Sequence, residues 1–146
     1  KVQMKKYVEV ESDGTTVNRE IMDNGELRIR LISADNSAYI RTEASEYGDW
    51  QNSHYHLEHE ETYIVQKGWV GLAELVNGCL NIMAVKENFL YTVKSKVPHN
   101  LYLPANAIIH TVKHGSVKQG DWHKCIELDA LTKHLSEKNI KIIVGE

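Results

Sequence analysis

Two histidines and a glutamate, His54, His56 and Glu61, stand between Gly48 and Gly68 in the stretch GDWQNSHYHLEHEETYIVQKG. Imidazole nitrogens and a carboxylate oxygen make a mixed donor set that suits divalent Fe, Mn, Ni, Co or Zn rather than Ca or Mg, without choosing among the five. Successive strand residues face opposite ways, so His54 and His56 share one side about 6.6 Å apart along a strand, close enough for both rings to reach one ion. A turn over 57–60 then returns Glu61 beside them. Glu60 is the neighbouring candidate, but alternation puts Glu61, Tyr63 and Val65 together on the inward face and leaves Glu58, His59 and Glu60 to the turn.

Taken whole, the spacing Gly-x5-His-x-His-x4-Glu-x6-Gly over 48–68 resembles the first sequence motif of the cupin family. A second element of the same resemblance lies at 98–114, PHNLYLPANAIIHTVKH, where Pro104 and His110 carry the match. Pro98, Asn106 and His114 occupy places where that pattern has Gly, Gly and Asn, and His110 falls one residue late. Asn106 can supply the left-handed turn that glycine would. The resemblance makes His110 the fourth ligand, at the start of the alternating run 110–114, with His99 as the substitute. His114 sits ~13 Å further along such a strand, too far for the same ion.

The elements that must hold these residues are short alternating runs bounded by turn signals, the pattern of an all-β domain. Asp23-Asn24-Gly25 breaks VNREIM from ELRIRLI, and Asn77-Gly78 breaks WVGLAELV from CLNIMAV, both readable as hairpins with tight primed turns. Further strands are expected over 37–44, 51–56, 62–66, 89–94, 100–103 and 109–114. So many strands in a small domain must close on themselves to hide their edges, and the resemblance implies a double-stranded β-helix, the cupin jelly-roll barrel. Asp129 is read as the cap of a short helix over 130–138, and the apolar tail IKIIV at 140–144 as a strand on a sheet edge.

With 146 residues, the chain is expected to form a single domain over 1–146, its motif core at about 35–115. Hydrophobic content of 42% and charged content of 25% are those of a globular protein. Net charge is −3 and no basic stripe tracks a phosphate backbone, so nucleic acid is not an expected partner. No apolar run reaches the ~20 residues of a membrane span, and a cytoplasmic location is the expectation. Cys79 and Cys125 suit neither a disulfide framework nor a thiolate metal site and read as small buried or half-buried side chains.

Candidates to orient a substrate are Arg41, Tyr63, Tyr102 and His99, with Tyr39 and Trp50 nearby, while Lys113 should point outward and His134 lies on the exposed side of the C-terminal helix. The resemblance leaves the function open between two classes. One is a metal-dependent enzyme, either a sugar isomerase or epimerase using the ion as a Lewis acid or a dioxygenase. The other is a binding or sensing module for a small carbohydrate-like or acidic molecule. A metal-free acid/base epimerase ranks last, because its His–Asp pairing has no clear counterpart here. A homodimer is expected.

Overall fold

The computed structural model describes residues 6–146; residues 1–5, the first part of the expected domain, lie outside the described residues. The chain opens with a meander of four strands, β1 (Lys6–Val10), β2 (Thr16–Ile21), β3 (Leu27–Ile32) and β4 (Ala38–Glu43). Their three connections are one device used three times. Gly14 N–H donates to the Glu11 carbonyl, Gly25 to Met22 and Asn36 to Ser33, and each of these three residues has a left-handed backbone (φ 89°, 89° and 72°). This is the three-residue hairpin, a turn closed by one left-handed residue. The loop at 23–25 is therefore not the primed turn expected of Asn24-Gly25, since only Gly25 of the three has positive φ. Asn24 instead spends its side chain on the loop, accepting from Glu26 N–H and donating to the Trp50 carbonyl. At Asn77-Gly78 both residues are left-handed (φ 53° and 76°) and Val76 pairs with Cys79, as a two-residue primed turn requires.

The remaining strands are β5 (Asp49–Trp50), β6 (His54–Tyr55), β7 (His59–Lys67), β8 (Trp69–Val76), β9 (Cys79–Lys86), β10 (Leu90–Val93), β11 (His99–Leu103), β12 (Ile108–Gly115) and β13 (His123–Lys124). They form two antiparallel sheets, one ordered β1-β2-β3-β4-β12-β7-β10 and the other β13-β6-β11-β8-β9, with β5 also paired to β11. The sheets face each other across a core in which Tyr63, Val65, Val93 and Ile109 of the first meet Leu72, Val85, Leu101 and Leu103 of the second. This is the double-stranded β-helix expected. Crossing between sheets at Gly48 needs a glycine, because φ is +76° and a Cβ there would lie 2.9 Å from the Leu103 carbonyl oxygen.

Two helices close the chain, α1 (Ile126–Thr132) and α2 (Glu137–Ile143). The tail expected as a strand is thus helical. Ser136 caps α2 by accepting from Asn139 N–H while the Asn139 side chain accepts from Ser136 N–H, and this reciprocal cap starts the helix where its apolar residues could equally have paired with a sheet. Asp129 does not cap a helix; its carboxylate accepts from Ser53 N–H beside the motif strand. Leu128 and Ile140 are fully buried against Trp50, Ala73 and Tyr102 on the outer face of the second sheet. Both faces of β8 and β11 are consequently covered, which is why their sequences run apolar without alternating. Gly71 leaves room for the helix: a Cβ there would come within 3.2 Å of Ile140 Cγ2.

Truncation of this anchor should cost about 2–4 kcal/mol, the range for a buried Ile→Ala change. Urea unfolding of Ile140→Ala is expected to show that loss in the midpoint with little change in slope, and an unaltered midpoint would mean that the helices do not hold the sheet.

A candidate metal centre inside the barrel

His54 on β6 pairs directly with His99 on β11, and their rings lie 4.4 Å apart between centroids. His56 follows in the short connection to β7, and Glu61 projects inward from β7 to face all three rings. One donor atom from each of His54, His56, Glu61 and His99 falls within 4.8 Å of the other three. The Nε2 atoms of His54, His56 and His99 stand 3.5, 2.8 and 2.9 Å from a single oxygen, Glu61 Oε1. That carboxylate is 4% exposed.

The other ring nitrogens explain the convergence. His54 Nδ1 bonds the Asn52 carbonyl at 2.8 Å, His99 Nδ1 the Val97 carbonyl at 2.9 Å, and His56 Nδ1 the carbonyl of Asp121. A carbonyl only accepts, so each Nδ1 carries a proton, and in the neutral ring the lone pair is left on Nε2, aimed at the centre. Backbone carbonyls on the far nitrogen are the usual device for fixing the tautomer and orientation of a metal-binding imidazole. Burial pushes the His54 imidazole down, toward the neutral form that a metal ion needs, against a smaller upward pull from Glu61. Tyr63 O–H donates to Glu61 Oε1 at 3.0 Å. This donor set fits a divalent metal ion.

His110 is not among the four. The register pairs Thr111 with Tyr63 and Lys113 with Glu61, so Thr111 and Lys113 share the inward face of β12 and His110 turns outward. There it accepts from Tyr39 O–H at 2.6 Å, donates to Gln66 Oε1 and stacks on the Tyr39 ring, leaving no free ring nitrogen. A register shift at Ile108/Ile109 leaves Gln66 of β7 without a partner on β12. His99, the substitute, takes the fourth place because it is the residue directly opposite His54. Asn106 does take the left-handed backbone expected of it (φ 69°).

Of the residues expected to orient a substrate, Tyr63 and His99 belong to the cluster, whereas Arg41 and Tyr102 do not. Arg41 lies directly opposite His110 on the outer face and pairs with Glu43 at 3.5 Å. Tyr102 is buried under α2 with its hydroxyl on Glu137, and that burial pushes it up to about 12. Trp50 belongs to the same outer layer, its indole N–H donating to the Leu135 carbonyl. Lys113 points inward, the reverse of expectation, and Cys79 is exposed rather than buried while Cys125 is half-buried.

Several contributors come from segments distant in sequence, and His59 and Gln51 join them from within the motif stretch. Asp121 receives the His56 ring on its carbonyl, and its carboxylate takes Leu57 N–H and Glu58 N–H, tying the loop before β13 to the motif turn. Trp122 stacks on His54 at 5.1 Å, and His59 is buried against His56 with neither ring nitrogen hydrogen-bonded. Arg28, Arg30 and Gln51 join Lys113 around a small chamber of about 70 Å³ in front of His54 and Glu61. The one local signal for any of these was the inward parity of Arg28 and Arg30 on β3, where Leu27 and Leu31 take the exposed face.

No protein-family model matches the chain, and no curated protein sequence does. Solved structures do. Oxalate decarboxylase from Bacillus subtilis superposes with a TM-score of 0.59 at 17% identity, over 99% of this chain. The chain spans only 37% of that protein's length. A double-stranded β-helix protein from Klebsiella pneumoniae matches 71% of this chain and 82% of its own at 17% identity, with a TM-score of 0.56. KdgF from Halomonas sp. matches 69% and 87% at 11% identity, also with a TM-score of 0.56. At these identities the likeness speaks for architecture, and together with the two facing sheets it establishes that the chain has the cupin fold.

Proposed function

We propose that this protein is a metal-dependent cupin enzyme in which His54, His56, His99 and Glu61 hold one divalent ion. The observation that carries this reading is the convergence of three Nε2 atoms on one buried carboxylate oxygen, with every Nδ1 committed to a backbone carbonyl. Three neutral rings aimed at a carboxylate bring lone pairs against an anion, an arrangement that only a positive centre makes favourable. Burial works against protonating His54, and a metal ion between the rings and Glu61 would supply that charge.

A metal ion held by His54, His56, His99 and Glu61 would supply Lewis-acid or redox chemistry toward a small oxygen ligand. The protein's own part is to orient. Tyr63 fixes Glu61, the three carbonyls fix the rings, and Trp122 stacks on His54. The solved structures include the Mn(II) centres of Bacillus subtilis oxalate decarboxylase, which supports manganese as a first choice. Two cysteines standing free suit a reducing compartment such as the cytoplasm.

We also infer a homodimer through the outer face of the larger sheet. That face carries Leu27, Leu31, Ile64 and Leu90, all more than a third exposed, with Val17, Ile29 and Tyr39 between them. Its charges are internally paired, Arg19 with Glu9 and Arg41 with Glu43, so two copies would not repel. A two-fold contact of one such face on itself is the commonest way to bury it.

Elemental analysis of protein purified without a histidine tag is expected to find about one transition ion per chain. His56→Ala and His99→Ala should lose it, and His110→Ala should keep it. Metal lost in His110→Ala but kept in His99→Ala would overturn the ligand set, and no metal even after reconstitution would overturn the centre itself. Iron would direct assays to dioxygen chemistry, and manganese, zinc, cobalt or nickel to isomerisation. Light scattering should return a dimer mass that Leu31→Lys reduces to a monomer; a monomer mass for the unaltered chain would sink the interface.

A further inference from the structure

The small chamber in front of the cluster is lined by more positive charge than a core normally tolerates. Arg28 and Arg30 on β3 point into the barrel, opposite Thr42 and Ile40 of β4, at positions where a sheet would ordinarily bury apolar side chains. Lys113 reaches the same chamber from β12, directly across from Glu61. Each arginine has a partner behind it: Arg28 bonds Glu26 at 2.7 Å and Arg30 bonds Glu20 at 2.6 Å. Lys113, half-buried, makes no ion pair among the described residues. Burial and the nearby Arg28 charge both push Arg30 down, the mark of cations crowded together in a poorly hydrated space.

Charge balance turns this crowding into a ligand preference. Glu20, Glu26 and Glu61 match the three cations one for one, so the chamber is neutral when the cluster is empty. A divalent ion on His54, His56, His99 and Glu61 then adds two positive charges to a space with little water to screen them. Resting on the metal reading above, we propose that the chamber takes a small carboxylate, one end toward the cluster and the charge shared with Lys113. Its volume of about 70 Å³ equals the liquid share of only two or three waters at roughly 30 Å³ each. That suits an acid of a few atoms. Gln51 Nε2 is already on Glu26 and the Tyr63 hydroxyl on Glu61, so Lys113, beside the Thr42 and Thr111 hydroxyls, is the lining cation without an ion pair among the described residues. Lys113 also lines the larger cavity of about 380 Å³ that opens beside His59, Lys118 and Trp122, so it stands where such an anion would pass inward.

The test uses acetate and its neutral shape match acetamide. Protein reconstituted with Mn(II) is titrated with each by calorimetry at constant ionic strength, and metal stoichiometry is measured on the same samples before ligand is added. Acetate should bind and acetamide should not. Lys113→Gln should weaken acetate by roughly tenfold or more, the scale of a hydrogen bond to a charged group, while retaining its metal, and Lys113→Arg should recover part of the loss. Equal binding of acetamide, or full acetate affinity in metal-loaded Lys113→Gln, would overturn the carboxylate assignment. Absence of metal in the unaltered chain would instead overturn the metal reading, and the elemental measurement separates the two before any titration begins.

Discussion

A buried carboxylate is costly unless something positive answers it, and the interior of this barrel is organised around that requirement at Glu61. Its Oε1 receives Tyr63 O–H and stands within 3.5 Å of three imidazole nitrogens drawn from two strands and a loop. Because every one of those rings gives its Nδ1 proton to a main-chain carbonyl, the rings cannot rotate to relieve the contact without breaking a buried hydrogen bond. The cluster is therefore held rigid from outside, by Asn52, Val97 and Asp121, rather than by its members' own attraction.

That external hold accounts for features remote from the centre. Asp121 reaches the His56 ring only because its carboxylate is fastened to Leu57 N–H and Glu58 N–H, so the long connection after β12 is fixed by the turn that it covers. The C-terminal helices do similar work on the opposite side. Ser53, immediately before His54, gives its N–H to Asp129, and Ser53 O takes Cys125 N–H, which docks α1 against the motif strand. The helices thus brace the segment that carries His54 and His56 while their apolar residues bury the outer face of the second sheet.

The meander β1–β4 shows a different compromise. On β3 the arginines face in and the leucines face out, an inversion that would weaken an ordinary sandwich. It is tolerable because each inward guanidinium is paired with a glutamate, and because the inward space is a polar chamber rather than part of the apolar core. The outward leucines then become surface that water does not favour.

How much of this could be read without coordinates follows from the range of each interaction. Local spacing was enough for an all-β domain, the Asn77-Gly78 hairpin, and the placing of His54, His56 and Glu61 on one side, since period-two alternation and turn chemistry act within a few residues; the barrel came from the motif resemblance. It failed where the deciding contact was long-range. His110 was the natural fourth ligand by motif position, but only pairing of β12 with β7 reveals that Thr111 and Lys113 face inward and that His99, opposite His54, holds the fourth place. The apolar tail 140–144 suits a strand or a helix equally, and a cap at Ser136 together with the hollow over Gly71 settled it as α2. By itself the sequence determined that a mixed imidazole and carboxylate set would sit on a β-barrel, because donor type and alternation are properties of neighbours. Tertiary structure alone decided which histidine completes the set and which cations surround it, because strand register sets both, and a shift of one residue turns every side chain to the other face.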